Sequence, residues 1–217
     1  MSSLPPSIID KDDLWFLEVV SELRTCLSML LGPEVALALN LRRGHGLSFE
    51  ALHEKLVSLS ERDLIQVYSV ENEQQVMLAC EDFGRALAES RPRGSDTFAY
   101  QLTARGGATW EHYARPDWSR YLTAWSSLEP RECVIEANSR EAAEAEYRLH
   151  EVDGSGHQPV AESKRGEALV PWQATYWKVL PTGYRLRYDW VPRPAGFSGR
   201  KPLPGRKRWY VSLALDE

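Results

Sequence analysis

The sequence predicts an α+β chain with a helical N-terminal domain and a small C-terminal antiparallel sheet packed by a helix. Apolar residues recur at helical spacing over roughly the first 60 residues. In the strand predicted from Tyr184 to Val191, apolar and polar residues alternate up to Trp190, so one face of that strand is expected in a core and the other in water. An alanine- and glutamate-rich stretch after Ser139 predicts a helix to cover this sheet.

Three helices are predicted in tandem at the N-terminus. The first begins after Asp12-Asp13 and continues to Gly32-Pro33. The second covers Glu34 to Leu41, and the third begins after a capping Ser48. The apolar positions of the third helix lie at i, i+3, i+7 and i+10, namely Phe49, Leu52, Leu56 and Leu59.

A hairpin-like segment follows these helices. Arg62 to Tyr68 predicts a turn and a strand, and Asp63 tolerates the left-handed backbone that such a turn needs. An insertion from Glu81 to Glu89 predicts a short helix with Phe83 and Leu87 facing inward. A second strand then covers Thr97 to Leu102.

The second strand leads into a helix capped by Thr103. Gly106 and Gly107 weaken this helix by about 1 kcal/mol each relative to alanine, so they predict a close approach of another backbone.

The pattern Tyr100-x-Leu102-Thr103-x-x-Gly106 resembles the end of the wing in bacterial winged-helix proteins. Arg62 to Tyr68 is similar to the point in that family where the third helix turns into the first wing strand, with Asp63 replacing a glycine. The resemblance spans residues 12–125 and implies a winged-helix domain whose third helix, Ser48 to Glu61, would lie in a DNA groove if the chain bound DNA.

Asp117 is expected to cap a further helix with an aromatic stripe of Trp118, Tyr121, Leu122 and Trp125. The stripe is either core packing or a groove for a ligand or partner. Ser126 to Pro130 is the candidate boundary. It divides the chain into a winged-helix-like domain, 1–128, with an inserted helix near 81–89, and an α+β domain, 129–217.

The second domain is predicted to contain one helix and several strands. Cys133 to Ala137 is a strand, and the helix continues from Ser139 to about His150. The remaining predicted strands are Trp172 to Leu180, Tyr184 to Val191 and Arg208 to Leu215.

Charge is divided unevenly along the chain. Residues 1–163 carry 15 Lys and Arg against 27 Asp and Glu, a net charge of −12, whereas residues 164–217 carry 11 against 4, a net charge of +7. An acidic body repels phosphate and favours a basic partner. The basic segment would attract either nucleic acid or the acidic body itself.

No sequence motif indicates catalysis or a cofactor, so we predict a non-enzymatic protein without cofactors. Cys26, Cys80 and Cys133 are odd in number and far apart, which argues against a disulfide framework or a clustered zinc site. Glu50 and His53 lie on one helical face, and Glu54 is adjacent to them. They would supply metal ligands only if a third partner came from elsewhere in the chain. With neither a membrane segment nor a leader, we expect a cytoplasmic protein.

Candidate contact residues lie on the third predicted helix, on the wing and in a basic C-terminal loop. Three outward glutamates against one lysine make the helix a poor reader of DNA. The residues are Glu50, His53, Glu54, Lys55, Arg91, Arg93, Arg200, Lys201, Arg206, Lys207 and Arg208.

The resulting prediction is a protein-interaction module on a winged-helix frame, acting as an inhibitor, an immunity-type protein or an adaptor with a partner that is expected to be basic. The alternative is a winged-helix transcription regulator that binds DNA.

Overall fold

A computed structural model of the chain describes residues 9–31, 44–71, 74–90, 97–152, 157–193 and 209–212. The fold is α+β, as predicted, and its sheets are antiparallel. Contacts between Cα atoms divide the chain into two compact units. The first takes in Met1–Arg115, Thr175–Trp177 and Tyr210–Glu217, and the second takes in Pro116–Ala174 and Lys178–Trp209.

In the described residues, the first unit packs four helices against one sheet. The helices are α1 (Lys11–Val19), α2 (Phe49–Glu61), α3 (Phe83–Glu89) and α4 (Ala104–Ala114). The strands are β1 (Thr25–Cys26), β2 (Ile65–Glu71), β3 (Gln74–Met77) and β4 (Phe98–Leu102), in the order β1-β4-β2-β3. The core is aliphatic and aromatic, with Trp15, Phe16, Leu56, Phe83 and Trp110 fully buried.

The first predicted helix is wrong in its length. Helix α1 ends at Val19, where the backbone N–H and the hydroxyl of Ser21 both donate to the Glu18 carbonyl. The chain then forms β1, which pairs with β4, and a 3-10 turn at Leu27–Leu30. Leu27 and Leu30 stay buried because a 3-10 turn also places i and i+3 on one side. The second predicted helix, 34–41, lies outside the described residues.

Several local predictions for this unit are confirmed. Ser48 accepts a hydrogen bond from the Ala51 N–H at the start of α2, and Thr103 accepts one from the Gly106 N–H at the start of α4. Asp63 has a φ of 55°, in the left-handed region. The inserted helix is α3, with Phe83 and Leu87 buried.

The predicted close approach of another backbone is confirmed at Gly106 and is wrong at Gly107. A Cβ on Gly106 would lie 1.8 Å from the carbonyl oxygen of Leu64, so another backbone occupies that space. At Gly107 the neighbour is a side chain, because a Cβ there would lie 2.3 Å from the indole ring of Trp177.

The second unit is a sheet with one long central strand. Its strands are β5 (Leu122–Ser126), β6 (Glu132–Ala137), β7 (His157–Pro159), β8 (Arg165–Leu169), β9 (Trp172–Gln173), β10 (Val179–Leu180) and β11 (Gly183–Pro192). The sheet has the order β5-β6-β11-β7, and β8 also pairs with β11, while β9 and β10 form a separate pair. Helix α5 (Arg140–Val152) covers one face, where Ala143 and Tyr147 pack against Ile135, Leu186 and Tyr188. This arrangement confirms the predicted sheet and its covering helix.

The predicted aromatic helix after Asp117 is wrong. Trp118–Arg120 form a 3-10 turn, and β5 follows in antiparallel register with β6. Tyr121 is buried beside Trp172, but the side chain of Trp125 is 53% exposed, so no single stripe exists. Ser127 at the predicted boundary lies in the turn between β5 and β6, and the compact units divide earlier, after Arg115.

Two predicted strands differ from the structure. Trp172 to Leu180 is not continuous, because β9 and β10 pair with each other in antiparallel register. In the range Arg208 to Leu215, residues 209–212 are not in a strand and the rest lie outside the described residues. None of the helices that the structure describes has the length and apolar character needed to cross a membrane.

Candidate functional site

Helix α2 carries the predicted contact residues, and its orientation follows from its buried face. Leu52, Leu56 and Leu59 are at most 1% exposed and fix one side of the helix in the core of the first unit. The spacing of these leucines turns the residues between them towards the opposite side.

The solvent-exposed residues of α2 are all glutamates. Glu50, Glu54 and Glu61 are exposed, and every other residue of the helix is buried or half-buried. These three carboxylates define what we call the acidic face of α2. A face of this composition repels phosphate and attracts cationic side chains.

Lys55 does not neutralise the acidic face, because its ammonium group binds aspartates near α1. Lys55 Nζ lies 2.8 Å from Asp13 Oδ1 and 3.3 Å from Asp10 Oδ2. Arg62, just after α2, places a guanidinium nitrogen 2.7 Å from Asp13 Oδ2. The predicted outward lysine is therefore a structural ion-pair partner, 19% exposed.

Asp13 is the centre of this ion cluster and is only 2% exposed. Burial alone would raise the pKa of the Asp13 carboxyl, but hydrogen bonds and charges from Lys55 and Arg62 outweigh burial and hold that pKa below its ordinary value. In the same way, burial would lower the pKa of Lys55, but the two aspartates raise it. Asp13 also completes the capping box of α1 with Asp10.

His53 points towards α3 and is half-buried. A Cβ added to Gly84 of α3 would lie 3.7 Å from His53 Nε2, so the imidazole packs beside that glycine. Within the described parts of the chain, no group of three or more His, Cys, Asp or Glu is placed to hold a metal ion.

The other predicted contacts, Arg91, Arg93, Arg200, Lys201, Arg206, Lys207 and Arg208, lie outside the described residues. The sequence did not indicate Asp13 as the counter-ion that Lys55 and Arg62 share. Asp13 and Lys55 are 42 positions apart, so their pairing is not visible in the local sequence. The one local indication is that Asp13 is a second aspartate at a helix start, which can act both as a cap and as a counter-ion.

Compared with models of known families, with curated proteins and with solved structures, the chain matches none of them.

Proposed function

We propose that the first unit is a winged-helix frame that binds a protein with a basic surface through the acidic face of α2. The frame is supported by topology. Helix α1 leads into β1, α2 leads into β2, and β4 returns between β1 and β2 in an antiparallel sheet. In the winged-helix resemblance, α2 corresponds to the helix that approaches the ligand.

The charge of α2 is the observation that favours a basic protein over DNA as the partner. Its exposed residues are glutamates, while Lys55 and Arg62 bind Asp13. A DNA-reading helix requires donors towards base edges and cations towards phosphates, and this helix offers carboxylates. The acidic face instead favours rapid, salt-sensitive association with a cationic protein surface. An inhibitor, an immunity-type protein or an adaptor would use such a face.

A duplex titration tests this proposal against the alternative of a DNA-binding transcription regulator. Fluorescence polarisation with a labelled random duplex at physiological salt should show binding no tighter than ~100 µM, the weak end of non-specific affinities. Micromolar binding that weakens steeply with salt would overturn the proposal in favour of the regulator.

Charge variants test the acidic face itself. Changing Glu50, Glu54 and Glu61 together to glutamine should slow association with a cognate basic partner by about tenfold or more. A matched control changes Glu129, Glu151 and Glu162, three exposed glutamates of the second unit, and alters the net charge equally. Equal effects of the two triple variants would show that total charge, and not this face, controls binding.

A further inference from the structure

A cavity of about 270 Å³ in the second unit brings together a thiol, an imidazole and a phenol. Cys133, His150 and Tyr188 line it, and their proximity follows from the fold. Cys133 on β6 and Tyr188 on β11 are directly paired across the sheet, and the side chain of His150 on α5 contacts both of them.

The hydrogen bonds of His150 determine which of its nitrogens is basic. Its Nε2 lies 3.1 Å from Oε1 of Glu146, one turn earlier on α5. Glu146 is only 7% exposed, and its carboxylate accepts the Nε2–H. In neutral imidazole the other nitrogen, Nδ1, is then an acceptor.

Nδ1 has one lone pair and lies beside two possible donors, a thiol and a phenol. Cys133 Sγ lies 3.9 Å from it, within the range of a sulfur hydrogen bond, and the Tyr188 hydroxyl lies 2.5 Å from it. In covalent catalysis, a thiol is activated by a neighbouring base, and a third group holds that base in the correct orientation. Glu146 is the positioning residue of this set.

The walls of the cavity are aromatic. His157 stacks on Trp190 with ring centroids 3.8 Å apart and an interplanar angle of 24°. The Trp190 Nε1–H donates to the Ser127 carbonyl, which fixes the orientation of the indole. Trp125 forms a further wall and is partly open to solvent. Flat aromatic walls around a reactive group suit a small, flat, apolar ligand.

We propose that Cys133 is the acyl acceptor of a thiol site that takes esters or thioesters of small, flat, apolar acids. Cys133 Sγ attacks the carbonyl carbon and forms an S–C bond, while the thiol proton passes to His150 Nδ1. The bond from the carbonyl carbon to the leaving oxygen or sulfur breaks, and the leaving group takes that proton. The products are an acyl thioester on Cys133 and a free alcohol or thiol. This activity is independent of the proposed binding by α2.

The test uses p-nitrophenyl benzoate with the full chain. Wild-type protein should release a burst of about one p-nitrophenolate per chain, and peptide mass spectrometry should place the benzoyl group on Cys133. Cys133→Ser should abolish the thioester adduct, and His150→Asn should slow the burst by about 100-fold, the lower end for loss of a general base. Cys80→Ala is the matched control and should keep the full burst.

Wild-type protein alone supplies a second measurement that does not depend on how the variants fold. Iodoacetamide at neutral pH should alkylate Cys133 faster than Cys26 or Cys80, although both of those are more exposed. Benzoylation first on Cys26 or Cys80, the absence of a burst, or alkylation of Cys133 more slowly than both would overturn the proposal. So would an unchanged burst rate in a folded His150→Asn variant, judged by its circular dichroism spectrum.

Discussion

Replacing Asp13 with asparagine should destabilise the first unit more than any exposed acidic substitution. The change keeps the size of the side chain but removes the charge that Lys55 and Arg62 share at 2.8 and 2.7 Å. Breaking a fully buried ion pair costs about 3–5 kcal/mol. Because the two basic side chains retain 19% and 30% exposure, water compensates part of the loss, and we expect about 2–3 kcal/mol.

The assay is equilibrium urea unfolding at neutral pH, with Asp12→Asn as the matched control. Asp12 is the exposed neighbour on the same helix turn, and its loss should change the free energy of unfolding by less than about 0.5 kcal/mol. In thermal unfolding, the Asp13 variant should lose roughly 4–12 °C of Tm, from about 2–4 °C per kcal/mol for a chain of this size.

The pH dependence of the Asp13 effect has a definite sign. The pKa of this carboxyl in the folded protein lies below its ordinary value of 3.8. The stabilisation is therefore fully present above that ordinary value and is lost as the pH falls through the lower folded-state pKa. The difference between wild type and Asp13→Asn should stay constant from about pH 5 to 8 and shrink below about pH 4. A difference near zero at neutral pH, or equal effects of the Asp12 and Asp13 changes, would refute the ion cluster.

Two other pairs of matched variants, one pair in each unit, test the packing inside that unit by urea unfolding. Gly106→Ala should cost at least about 3 kcal/mol, because its Cβ would fall 1.8 Å from a backbone carbonyl oxygen, whereas Gly84→Ala meets only an ordinary 3.7 Å contact and should be neutral or stabilising; similar costs for both would contradict the close approach. Glu136→Ala removes the acceptor that lies 2.9 Å from the buried Trp172 Nε1 and should cost about 2 kcal/mol. Glu167→Ala, at a 56% exposed side chain, should cost less than about 0.5 kcal/mol, and a reversed order would disprove the role of the indole hydrogen bond.

Elements with strong local signals were predictable from the sequence. Helix α2 has a serine cap and a leucine repeat, and the joint from β4 to α4 has a threonine cap and two glycines. In strand β11, buried residues alternate with half-buried or exposed ones from Arg185 to Val191. Each of these signals depends on residues within a few positions of one another, so no tertiary information was needed.

The errors lie where pairing with another strand decides the structure. The i, i+3 spacing of leucines continues beyond α1, but Thr25 and Cys26 pair with β4, more than 70 residues away along the chain. The spacing from Trp118 to Trp125 also fits a helix, yet β5 pairs with β6. Periodicity cannot separate a helix from a 3-10 turn followed by a strand when the deciding hydrogen bonds come from another segment.

The candidate sites were predictable only in part. The helical repeat of α2 predicts that the glutamates of the acidic face are exposed, but it does not predict the ion pair between Lys55 and Asp13. On α5, the i, i+4 spacing of Glu146 and His150 is visible in the sequence. The pairing of Cys133 with Tyr188 depends on the register between β6 and β11, which alternation alone leaves open.

Site-specific photo-crosslinking at position 54 tests the central claim, that the acidic face of α2 binds a basic protein. Glu54 is exposed at the middle of that face, so benzoylphenylalanine there should leave the fold intact. Irradiation in the native cells should yield a covalent adduct with a protein that has a basic surface. Purified, that protein should bind the wild-type chain in a salt-sensitive manner, and the triple glutamine variant of α2 should weaken binding by about tenfold, or 1.4 kcal/mol. Crosslinking to DNA, or to a partner whose binding is unchanged by salt and by the triple variant, would contradict the account.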